Sequence, residues 1–177
     1  KYSSYTVESL IAEWNATADH GTQVHNEIEE WIKEGTEPSE IKAINGKDWL
    51  ESYKLKSNID VFSEIIIYST ELSIAGTVDI LAKNNDTGEY ELIDWKTSKK
   101  IETVSFGNKM GTHDATKHIM DCNFYHYSVQ LSLYRYILEE YYNIKINNQL
   151  IAHIRNDGVN ALVAPYMKNE IRQMLNS

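Results

Sequence analysis

The sequence predicts a mixed α/β (α+β) domain, a small central sheet with helices before and after it, and three observations predict it. Apolar residues recur at helical spacing near both ends of the chain, while the stretches 63–96 and 149–166 are rich in β-branched and aromatic residues punctuated by turn-formers. The length of 177 residues suits one domain with one sizeable core. A hydrophobic fraction of 42% and a charged fraction of 24% are ordinary for a globular protein.

Residues 5–18 read as a helix with Leu10, Ile11 and Trp14 on one side. A second helix follows within 19–35: Thr22 serves as N-cap, Val24, Ile28, Trp31 and Ile32 recur at helical spacing, and Gly35 fits the terminating position. Residues 36–46 read as a connection, and 47–55 ("KDWLESYKL") as a further helix. The β region comprises 63–69, 72–82 and 90–96, most simply three antiparallel strands with "NNDTG" between the last two. Residues 97–122 are polar, carry two glycines and show no period, and a loop that long is usually functional or mobile. A helix over 123–142, a hairpin around "NDG" (149–155 and 160–166) and a closing helix complete the chain.

The composition narrows the function. Cys122 is the only cysteine, which excludes an internal disulfide framework and any four-cysteine zinc or iron–sulfur site within this chain. The natural setting is reducing and intracellular, and no apolar run approaches the roughly 20 residues that span a bilayer. Because the chain begins at Lys1 rather than at a methionine, nothing follows about an upstream segment. A net charge of −9 argues against a protein that coats nucleic acid non-specifically. That average hides an asymmetry. Residues 27–51 carry eight acids against three lysines, whereas 96–117 carry five lysines against Glu102 and Asp114.

One constellation carries chemistry. If Lys83 faces Tyr90 across the "NNDTG" hairpin, Asp79 falls opposite Asp94, and facing carboxylates repel unless a cation lies between them. Oxygen-rich sites of this kind suit Mg²⁺ or Mn²⁺. Lys96 shares a face with Asp94, where its ammonium either forms a surface ion pair worth about 0–1 kcal/mol or orients a water and stabilises developing phosphate charge. His25 and Glu29 stand four apart on the second helix, Glu64 starts the first strand, and Gln130 and Tyr134 are four apart on the long helix. Singly, each also reads as a packed or solvated residue.

Taken in order, "HGTQVHNEIEEW", "EIIIYSTELSIAGTVDIL", "ELIDWKTSK" and "YSVQLSLYRY" resemble the RecB-like branch of the PD-(D/E)XK nuclease superfamily over about residues 20–136. The resemblance implies a central mixed sheet flanked by helices and divalent-metal-dependent hydrolysis of DNA phosphodiester bonds. By that resemblance His25, Asp79, Asp94 and the backbone carbonyl of Trp95 bind the metal, with Glu64 the first candidate for an additional acidic ligand. Lys96 is then the catalytic lysine beside Asp94 and Asp79, and Gln130 and Tyr134 order the site or hold the DNA backbone, aided by Lys99 and Lys100. Val78 stands where the superfamily's name has a proline. Small phage-type and mitochondrial genome-maintenance-type exonucleases are the most similar group, which implies single-stranded ends as substrate and a helicase or replication and recombination machinery as partner. A structure-specific endonuclease and a non-cutting module that binds DNA or a helicase are the competing expectations.

Overall fold

The computed structural model describes residues 6–177, ordered as α1 (Val7–Glu34), α2 (Ile41–Lys54), β1 (Ile59–Ser69), β2 (Ile74–Asn84), β3 (Tyr90–Lys96), α3 (Asn123–Tyr142), β4 (Ile146–Arg155), β5 (Gly158–Val163) and α4 (Lys168–Leu175). The strands form one sheet in sequence order. Pairing is antiparallel for β1–β2, β2–β3 and β4–β5 but parallel for β3–β4, so the sheet is mixed. A parallel pair needs a long crossover, and α3 with the segment before it supplies one.

Each face of the sheet has its own core. On one, Val24 and Ile28 of α1 and Leu50 of α2 pack on Ile80, Ile93 and Trp95. On the other, Leu131, Ile137 and Leu138 of α3 pack on Leu81, Leu92 and Ile151, and α4 packs on α3. Among the described residues, no helix is long and apolar enough to cross a membrane.

The helical start of the chain differs from expectation. The two helices expected over 5–18 and within 19–35 are one, and Tyr5 lies outside the described residues. Thr6, not Thr22, is the N-cap: its hydroxyl accepts the Ser9 amide, and the Ser9 hydroxyl accepts the Thr6 amide in return. Thr22 sits mid-helix and its hydroxyl donates back to the Ala18 carbonyl at 3.2 Å. Gly35 ends the helix at φ 75°, as the sequence predicts.

α2 begins at Ile41, inside the expected connection, because the Glu40 carboxylate accepts the amides of Lys42 (2.6 Å) and Ala43 (3.0 Å). Gly46, the last residue of the expected connection, is a contact point between helices. A Cβ there would lie 2.6 Å from Ile28 Cδ1, so its missing side chain lets the two helices close on each other. β1 starts at Ile59, which places Glu64 in mid-strand rather than at the strand's beginning.

Candidate metal centre

The site grows out of a defect in the sheet. β1 and β2 pair in constant register from Ile59–Asn84 to Ser63–Ile80 and again from Ile65–Val78 to Ser69–Ile74, and the single missing pair is Glu64–Asp79. Glu64 has φ 51°, the left-handed region, which costs a non-glycine residue roughly 1 kcal/mol or more. Side chains change face across this gap. Val61 and Ile59 pack in the α1–α2 core while Ile65 and Ile67 pack in the α3 core; on β2, Ile80 and Ala82 join the first core and Val78 the second. Strict alternation would keep each of these sets on one face. The backbone register is thus preserved while the side-chain phase inverts.

Between β2 and β3 the expected register is present, with Lys83 opposite Tyr90 and Ile80 opposite Ile93. The ladder ends there, one pair short of Asp79–Asp94. Asp79 therefore does not face Asp94 across a regular rung: its Oδ2 accepts the Trp95 amide at 2.7 Å, a carboxylate in place of a backbone carbonyl.

His25, half-buried on α1, Glu64 on β1 and Asp79 on β2 each offer a ligand atom within 4.8 Å of the others. His25 Nδ1 is 3.7 Å from Asp79 Oδ2. These three meet at an open cleft of about 360 Å³ lined also by Gly21, Thr22 and Asn26. Asp94 stands outside this trio, its Oδ2 held 2.5 Å from Lys96 Nζ. The Lys96 ammonium in turn sits 4.8 Å from the centre of the Tyr127 ring on α3, a cation–π contact. The Trp95 side chain packs edge-on against Trp49 in the α1–α2 core.

Burial dominates the electrostatics. It pushes both Asp79 and Asp94 above the usual carboxylate range, the Asp79 charge pushes Asp94 further, and Lys96 opposes both shifts. Burial likewise raises Glu64, with Glu29 adding to it. His25 is lowered, first by burial and then by Lys96, while the carboxylates and the Trp95 carbonyl favour its charged form. The buried Asp94 and the half-buried Asp79 and Glu64 put three carboxylates at one site, with the Lys96 ammonium paired to Asp94. A divalent cation fits that imbalance of charge: the carboxylate oxygens are donors for hard cations such as Mg²⁺ or Mn²⁺, and the imidazole is a donor for transition metals.

The backbone beyond Lys96 is fixed from two sides. Lys42 Nζ donates to the Thr97 carbonyl at 2.8 Å, and His153 Nε2 lies 2.6 Å from the Ser98 carbonyl. Gln130 Nε2 donates to the Tyr134 hydroxyl at 3.2 Å, and the Tyr134 ring rests on Gly76, where a Cβ would approach its Cε1 to 2.6 Å. The close approach that Gly76 permits is thus to α3. Lys99 and Lys100 are exposed, with Lys100 Nζ 3.9 Å from Glu102.

Sequence reasoning missed Tyr127, Lys42 and His153. Tyr127 carried a usable signal, since it stands three and seven residues before Gln130 and Tyr134 and so shares their helix face. Lys42 and His153 carried none, because each reaches a carbonyl 55 positions away. No protein-family model matches the chain, and no curated protein matches it.

Proposed function

We propose that the chain is a divalent-metal-dependent DNA exonuclease that hydrolyses phosphodiester bonds at single-stranded ends. The observation that carries this reading is the convergence of His25, Glu64 and Asp79 within 4.8 Å beside the buried Asp94–Lys96 pair, at a break in an otherwise regular sheet. His25, Asp79 and Glu64, with Asp94 and the Trp95 carbonyl as further donors, would hold Mg²⁺ or Mn²⁺, which would supply charge neutralisation for the scissile phosphate.

The chain's own groups do the rest. Lys96 is aimed by the Asp94 carboxylate on one side and the Tyr127 ring on the other, so its ammonium is placed to orient a water and to meet charge developing on phosphate oxygens. Asp79 locks the Trp95 amide and thereby the strand that bears Asp94 and Lys96. Lys42 and His153 keep the chain from swinging away after Lys96. Glu64 is held in a strained backbone, as expected where a fold sacrifices stability to place a functional group.

The test is product analysis on end-labelled single-stranded, double-stranded and covalently closed circular DNA with Mg²⁺ or Mn²⁺. Nucleotide release from the single strand, an intact circle and complete arrest in EDTA are expected. Cleavage of the circle makes the enzyme an endonuclease, and full activity of Asp94→Ala or Lys96→Ala overturns the active-site assignment.

A further inference from the structure

Ten residues beyond Lys96 the chain does something that burial economics disfavour. Phe106 is 92% exposed, the most solvent-accessible large hydrophobic side chain among the described residues. It lies at the tip of a tight turn in which Gly107 and Asn108 both have positive φ, 66° and 54°. The turn is anchored on both sides. Behind it Ser105 is buried, the Glu102 amide donates to Asn123 Oδ1 at 2.7 Å, and the Phe124 amide donates to the Glu102 carbonyl. Ahead of it the Asp121 amide donates to the Lys109 carbonyl and the Gly111 amide to the Ile119 carbonyl, both at 2.9 Å. The ring is therefore presented to solvent by an ordered support.

Along the segment from 97 to 113 the charges are mostly positive. Lys99, Lys100 and Lys109 are exposed, and among the described residues Lys99 and Lys109 form no ion pair; Glu102, 3.9 Å from Lys100, is the sole acid between positions 97 and 113. Elsewhere Lys33, Lys47, Arg135 and Lys168 are paired with the chain's own acids, whereas Lys54, Lys56 and Arg172 form no ion pair among the described residues. An exposed aromatic ring on a lysine-bearing segment matches what a flexible polyanion with flat bases requires: phosphate neutralisation and a stacking face. A partner protein with an apolar pocket would not need the lysines.

We propose that Phe106, with Lys99, Lys100 and Lys109, is the single-strand platform of this protein, on which an unpaired base stacks while its flanking phosphates meet the lysines. The proposal rests on the nuclease reading and names the substrate class for it. Ten residues of extended chain span at most roughly 33–36 Å, so a strand of about 12 nucleotides reaches both Phe106 and Lys96.

Binding of a fluorescent 12-nucleotide oligothymidylate is measured by anisotropy in a Lys96→Ala background with Mg²⁺, while cleavage is followed in the wild type. Phe106→Ala is expected to weaken binding about 5- to 100-fold, Phe106→Trp to restore it, and the Phe106→Ala penalty to vanish on an abasic strand of equal length. Lys109→Ala is expected to lower the salt slope by about one, and Phe106→Ala to leave that slope unchanged. Because Phe106 is exposed, these variants fold. Equal affinity of Phe106→Ala and its parent, or a penalty that persists on the abasic strand, overturns the platform while cleavage by the wild type leaves the nuclease reading standing. A wild type that neither binds nor cuts DNA overturns both, and a Phe106→Ala effect on self-association alone assigns the tip to a protein contact and overturns the platform.

Discussion

Two buried polar regions of this molecule are built on opposite principles. Beneath α3, the fully buried Ser128, Ser132 and Gln149 form a neutral network: Ser132 Oγ donates to the Ser128 carbonyl, and it accepts the Met167 amide and Gln149 Nε2, which also donates to the Pro165 carbonyl at 2.8 Å. Its groups tie β4, α3 and the start of α4 together at ordinary distances, with Gln149 Oε1 alone among them left without a partner. At the sheet gap, the buried Asp94 and the half-buried Glu64, Asp79 and His25 are charged or chargeable, partly desolvated, and supported by a strained backbone and a missing rung. Neutral polar burial with partners holds a fold; charged burial without enough of them holds a capacity to bind something.

Four experiments break or sharpen that contrast. The largest effect is on chemistry: Lys96→Ala is expected to lower DNA cleavage about 10²- to 10³-fold while the melting temperature stays within a few degrees, measured by single-turnover kinetics and calorimetry. The reverse pattern belongs to the neutral network. Gln149→Ala is expected to cost about 2–3 kcal/mol in urea unfolding, because it leaves Ser132 and the Pro165 carbonyl short of partners, with cleavage per folded molecule unchanged.

Asp79→Asn comes next. A carboxyl whose pKa is raised on folding destabilises the fold when ionised, so the native state binds more protons and its stability falls as pH rises through the raised range. The Asn variant, which still offers an oxygen to the Trp95 amide, should be more stable than the metal-free wild type by about 1 kcal/mol at pH 7.5. That advantage should shrink as pH falls toward the ordinary carboxylate range, where the wild type is protonated too. His25, lowered by burial, contributes in the opposite sense below its ordinary value, and the wild type–variant difference cancels most of it. An Asn variant less stable than wild type at neutral pH would place the site among structural networks. The smallest effect is at Tyr127: Tyr127→Leu should cost about 0.5–1 kcal/mol of transition-state stabilisation and Tyr127→Phe almost nothing, read from kcat/KM.

Much of this contrast was legible in the sequence, and the part that was not has physical causes. Helix α3, the β4–β5 hairpin and the β2–β3 register follow from periodicity and turn chemistry, but the ladder stops one pair short of Asp79 and Asp94. Gly21 and Gly46 both sit inside helices where a neighbour comes close, Thr97 Oγ1 at Gly21 and Ile28 Cδ1 at Gly46, and such contacts leave no mark in the local pattern. The inversion at Glu64 was visible only in part. Ile65, Ile66 and Ile67 run without alternation, and no local pattern says which of them changes face. Contacts such as Lys42 with the Thr97 carbonyl depend on how two distant segments meet, which periodicity does not encode.

The bond from the Trp95 amide to Asp79 makes this site observable without a substrate. An amide proton held by a carboxylate rather than by a peptide carbonyl has a resonance that moves when that carboxylate gains a proton or a cation. A single ¹⁵N-labelled tryptophan backbone signal should therefore follow acid titration and Mg²⁺ addition in turn, and Asp79→Asn should leave it still in both.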